Sequence, residues 1–138
     1  MKIDDAGPFC SEGHRGCASV YLTNDSIVHS LHGAAVDYPD AVAMGRAGHP
    51  AALRAFRDAG TALGVLLATV ANSVDPQKII LTGDGLPVWE LAEPQIRAAI
   101  DETMSTGSAP LELDVQPFEF NEWARAAAVL GIRTVLRF

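Results

Sequence analysis

The sequence predicts an α/β fold, and three observations carry that reading. Between about residues 50 and 74, apolar side chains recur at alternating steps of three and four, the period of one helix face. The run "KIILTG" that follows has no polar alternation, as expected of a strand covered on both faces. From 77 to 137 the pattern continues strand, helix, strand, helix, which implies a right-handed crossover in a mixed sheet flanked by helices.

Each element has its own signal. Residues 1–18 are rich in Gly, Asp, Pro and Cys and read as a loop hung on a short opening strand at "MKI". Val20, Leu22, Ile27, Val28 and Leu31 fit one helix from Ser19 to about His32, although Thr23, Asn24 and Asp25 weaken it. "DYPDAVAMGRAG" predicts a short helix with Pro39 in its first turn and Gly45 or Gly48 at its end.

The long helix opens at Pro50, places Leu53, Phe56, Gly60, Leu63, Leu67, Val70 and Val74 on one face, and stops at Asp75 and Pro76. Gly60 and Gly64 lie one turn apart, a spacing that admits a closely packed neighbour. After the turn "GDGLP", a second helix is expected from Trp89 to Met104 and ends at "STGSAP". "LELDVQPF" alternates Leu111, Leu113 and Val115 with polar residues and reads as a strand. Asn121 can cap an Ala-rich terminal helix, in which Trp123 is expected to pack and Arg133 and Arg137 to meet the last carbonyls. Two strands and a third at the start are few for a covered sheet.

Composition narrows the function classes. The chain has 138 residues, 49% of them apolar, which is enough for one core. A net charge of −7, with ten scattered basic residues, excludes a phosphate-binding surface for nucleic acid or anionic lipid. The longest apolar stretch, "GVLLATVA", is too short for a bilayer, and no secretory signal is visible, so a cytoplasmic protein with no membrane role is expected.

The chemistry gathers in "PFCSEGHRGC". Cys10 and Cys17 flank Gly13 and Gly16, and Glu12 and His14 lie between them, so a Cys2HisGlu metal knuckle and a loop of ordinary reduced thiols both fit the spacing. Elsewhere, His29 and His32 stand three apart on a predicted helix, and Asp4 and Asp5 are adjacent; both pairs read as solvated groups.

Cys10, Gly13, Gly16 and Cys17 match in register the zinc loop CxCGxxGCxE of the ROK family, the repressors, open reading frames and sugar kinases. Glu12 stands where the family has its second cysteine, and Ser19 where it has a glutamate. The segment "NSVDPQKIILTGDGL" resembles the family's run into its Gly-rich turn, with Gly83, Asp84 and Gly85 in place of a glycine triplet. "EWARAAAVLGI" is similar to the terminal helix of the family's transcription regulators.

The resemblance implies a partial actin-like (ribonuclease H-like) ATPase lobe, with residues 1–138 as the C-terminal part of the second lobe and with the first lobe and the DNA-binding domain upstream. The family's zinc-ligating histidine would also lie upstream, which leaves Cys10, Cys17, Glu12 and His14 as a weakened zinc set. Ser19 would occupy the sugar-contacting position, and a hydroxyl replaces a carboxylate there only in part. Asp84 either simply favours the turn conformation or puts negative charge where a nucleotide would come close, and ATP is not expected to bind.

The implied function is the sugar-effector-binding and dimerisation portion of a ROK regulator, contacting DNA only through its missing helix-turn-helix. The alternative is a C-terminal fragment of a ROK sugar kinase, with no catalytic residue in this region. A third class is a stand-alone metal or redox module. The terminal helix, without the first lobe as partner, is expected to drive self-association as a homodimer.

Overall fold

The computed structural model describes all residues except 32–35, 108–109, 118, 120 and 137–138. His32 and Arg137 therefore lie outside the described residues. The elements are α1 (Ser19–Leu22), α2 (Asn24–His29), α3 (Tyr38–Arg46), α4 (Pro50–Val74), β1 (Ile79–Leu81), α5 (Pro87–Thr103), β2 (Leu113–Val115) and α6 (Asn121–Leu136). The expected α/β order holds from β1 onward, and the sheet is a parallel pair with Ile79 opposite Leu113 and Leu81 opposite Val115.

The single helix expected from Ser19 breaks at Thr23, whose backbone is extended and whose side chain accepts the Ser26 N–H. A threonine that caps the following turn gains more than one that continues a helix, because it satisfies an orphan donor. In α3, Asp37 caps by accepting the Asp40 N–H at 2.9 Å. Gly48, at φ +82°, closes the helix, whereas Gly45 is buried inside it.

Helix α4 has the predicted bounds and ends at Asp75 in the left-handed region, at φ 45°. Its buried side is built from Ala52, Ala55, Phe56, Ala59, Ala62, Leu67, Ala68 and Ala71 together with Gly60 and Gly64. Phe56 and Leu67 of the predicted stripe share this side with many small residues. Val70 and Val74, predicted on the buried face, are exposed because the packing partner of α4 is α5 and small residues bring the two helices close.

A Cβ on Gly60 would meet the Ala92 Cβ at 2.6 Å, and one on Gly64 the Ala99 Cβ at 2.7 Å. The closely packed neighbour anticipated from the glycine spacing is thus α5. That helix starts two residues earlier than expected, at Pro87, and bends at Ala92, where φ is −140°, just before Pro94.

Two apolar clusters make the core. One joins Ile27, Leu31, Val42, Phe56 and Val88 across α2 to α5. The other sets Leu67, Ile96 and Ile100 against Ile79, Leu81, Leu111 and Leu113. Ile80 points the other way and is 52% exposed, so β1 is covered on one face and not on both. "MKI" contributes no sheet strand either, since Lys2 forms an isolated antiparallel bridge with Cys17.

All described residues of α6 are exposed, and Trp123, expected to pack, is 68% exposed. Among the described residues, no element of the core covers this helix.

Candidate functional site

The cysteine loop folds as a small hairpin. Cys10 N–H donates to the His14 carbonyl and Gly16 N–H to the Pro8 carbonyl, each at 2.8 Å, around a Phe9 and Arg15 bridge. Gly13, at φ 78°, makes the turn, and its N–H closes on the Cys10 carbonyl at 3.0 Å. The chain start straps the base, with Ile3 N–H donating to the Gly16 carbonyl at 2.6 Å and Ala18 N–H to the Met1 carbonyl at 2.8 Å. Gly16 is required twice over, by its φ of 60° and by the Asp4 carbonyl, which fills the place of a Cβ.

This geometry gathers three donors. Cys10 Sγ, Cys17 Sγ and a ring nitrogen of His14 all lie within 4.8 Å of one another, and His14 Nδ1 is 3.9 Å from Cys10 Sγ. Two sulfurs and an imidazole are the soft and borderline ligands that zinc prefers. Glu12 is exposed, and its carboxylate is not among the converging donors.

The two thiols differ. Desolvation pushes the Cys10 thiol up, but hydrogen bonds from the backbone N–H groups of His14 and Glu12 and from the Cys17 thiol outweigh it and hold Cys10 below its ordinary value. Cys17 is raised, first because it donates to Cys10 and then by desolvation. Cys10 is the more thiolate-like of the two, as a metal ligand or nucleophile must be.

One feature of the site has no signature in the sequence. The Tyr21 hydroxyl on α1 donates to Asp4 Oδ2 at 3.0 Å, and Asp4 Oδ1 accepts the Ala6 N–H at 2.8 Å. Asp4 is solvent-exposed as expected but also serves as a structural acceptor, while Asp5 pairs with Lys2 on the surface. Ser19 opens α1 in an exposed position, and its carbonyl accepts from the Thr23 and Ser26 hydroxyls at 3.1 and 2.8 Å. His29 lies in the last turn of α2 and joins no metal-type cluster among the described residues.

Gly83, Asp84 and Gly85 form the turn between β1 and α5, where Leu86 and Val88 N–H groups donate to the Gly83 and Gly85 carbonyls. Gly83 has φ 122°, and a Cβ at Gly83 or Gly85 would meet nothing within 4 Å, so the turn presents bare backbone. Tyr38 is pushed up to about 12, by burial and then by the charge of Asp84, and its hydroxyl is buried without a partner. A cavity of about 170 Å³ beside the turn is lined by Leu63, Leu81, Gly85, Leu86 and Trp89, among others.

Comparison with known proteins places this architecture. Residues 1–131 match the sequence profile of the ROK family. Over 83 residues the chain is 35% identical to the xylose repressor of Bacillus spizizenii and 32% identical to that of Bacillus subtilis, spanning 59% of this chain and 22% of each repressor. Among solved structures it resembles a ROK family transcriptional regulator described as a homologue of the E. coli MLC protein, with TM-score 0.73, 22% identity, and coverage of 86% of this chain and 34% of that one. A ROK family glucokinase from Streptomyces griseus superposes with TM-score 0.65 at 20% identity, covering 85% of this chain and 44% of the kinase. A ROK hexokinase from Thermus thermophilus gives 0.70 at 20%, covering 88% and 42%. The chain thus spans less than half the length of each of these relatives and belongs to the ROK family.

Proposed function

We propose that residues 1–138 form the C-terminal part of the second, actin-like lobe of a ROK-type transcription regulator, serving to bind a sugar or sugar-phosphate effector and to dimerise. DNA is reached only through a helix-turn-helix outside this region. The observation that carries the reading is Asp84 in the Gly-rich turn. Its exposed position puts a negative charge within the turn whose bare backbone would otherwise receive an anionic nucleotide, and repulsion there disfavours phosphate. The curated relatives named as xylose repressors support a pentose or hexose as the effector class.

In this reading Ser19 is the sugar-facing position, and Cys10, His14 and Cys17 would hold a zinc ion that braces the loop beneath it. Zinc would supply structural cross-linking between the two arms of the hairpin. The exposed apolar residues Trp123, Leu130 and Val135 of α6 supply the contact with a second copy.

A thermal-shift series with xylose, glucose, their phosphates and magnesium ATP tests the proposal. Stabilisation by a sugar but not by ATP is expected; stabilisation by ATP favours a kinase lobe and overturns it.

A further inference from the structure

Cys10 and Cys17 are free thiols, both partly exposed, with sulfurs within 4.8 Å of each other. A disulfide needs its sulfurs about 2 Å apart. The remaining approach is a short movement within one hairpin. That hairpin turns at Gly13, around which a Cβ would find nothing within 4 Å, so its tip has room to shift.

We propose that Cys10 and Cys17 form a reversible intramolecular disulfide by exchange with a low-molecular-weight disulfide such as oxidised glutathione. Cys10 sulfur attacks one sulfur of the small disulfide, forms a mixed disulfide and expels one small thiolate. Cys17 sulfur then attacks the Cys10 sulfur, the protein disulfide forms, and a second small thiolate leaves. The two cysteine protons end on the two expelled thiolates, and two electrons pass from the cysteine pair to the small disulfide.

The bonded sulfurs no longer serve as thiolate ligands, so oxidation and metal binding at this loop exclude each other. Because Cys17 also bridges Lys2 and directly precedes Ala18 and Ser19, the bond alters the base of the loop next to α1.

The test uses the full chain, freed of metal and equilibrated in glutathione buffers of increasing oxidised fraction, then acid-quenched, alkylated and weighed intact. The expected result is loss of two hydrogen masses with no adduct, reversed by dithiothreitol, in a product that stays a single chain on non-reducing gels. The Cys17→Ser variant is expected to stop at a glutathione adduct on Cys10. A stable adduct on the unaltered chain, disulfide-linked dimers as the main product, or two alkylatable thiols at every ratio would overturn the proposal.

Discussion

Tyr21 donates its hydroxyl to Asp4 at 3.0 Å, a bond that ties the first helix to the chain start beneath the cysteine loop. Its pH dependence has two sides. Asp4 is held below its ordinary value, first by the Ala6 N–H and then by Tyr21, so its contribution is present above the unfolded carboxyl pKa and is lost as pH falls through the depressed value. Tyr21 is pushed up to about 12, by desolvation and then by Asp4, so its contribution is present below the unfolded phenol pKa and is lost as pH rises from there through about 12. Ultraviolet titration of the phenolates should show both tyrosines, Tyr21 and Tyr38, titrating late, and in Asp4→Asn one of the two should move earlier. Tyr21→Phe should lower the melting temperature near neutral pH and flatten its decline in acid.

Gly16 and Gly13 separate two kinds of glycine. Both have positive φ, but a Cβ on Gly16 meets the Asp4 carbonyl, whereas one on Gly13 meets open space. Gly13→Ala should cost about 1–2 kcal/mol, the left-handed penalty alone. Gly16→Ala should cost more and also detach the strap formed by residues 1–4. Denaturant melts, with amide exchange at Ile3 as a local probe, distinguish the two.

The helix crossing predicts opposite signs for two glycines in helices. Gly64→Ala drives a methyl into Ile96 and Ala99 and should destabilise by about 1–3 kcal/mol. Gly131 in α6 has nothing within 4 Å of a Cβ, and Gly131→Ala should raise the helicity of α6 by about 1 kcal/mol of propensity. Circular dichroism during urea unfolding reads both.

Arg46 and Glu90 meet in a two-pronged ion pair at 2.8 and 2.7 Å between α3 and α5. Glu90 is held below its ordinary value, first by its hydrogen bonds from Arg46, so the contribution of the pair is present at neutral pH and is lost as pH falls through that depressed value. Both side chains are about half exposed. Glu90→Gln should therefore lower the melting temperature slightly at low salt, and the difference should fade at high salt.

Helix α6 predicts solution behaviour. Sedimentation of the chain should show concentration-dependent self-association, and Leu130→Glu with Val135→Lys should abolish it while leaving the melting temperature unchanged. A monomer at every concentration would remove the dimerisation part of the proposed function.

Periodicity and punctuation made the elements from Pro50 onward legible, because each combines a clear apolar period with Pro or Gly at its ends. The same periodicity misplaced Val70 and Val74, since it registers large apolar residues and is blind to a face made of Ala and Gly. Thr23 was visible as a weak helix former, but its role as a cap depends on the Ser26 N–H that it meets. In the site, Cys10, His14 and Cys17 were readable from spacing because one hairpin carries all three. Glu12 shares that spacing but points elsewhere, and the pairing of Asp4 with Tyr21 leaves no local trace in a sequence.

Where α4 crosses α5, Gly60 and Gly64 lie against the backbone of Ala92 and Ile96, with Ile96 the largest side chain at the contact and little length between the helices to change rotamer and absorb a displacement. The two helices therefore behave as one stiff plate. That stiffness assigns the deformable joints around the pair to the loops at its margins.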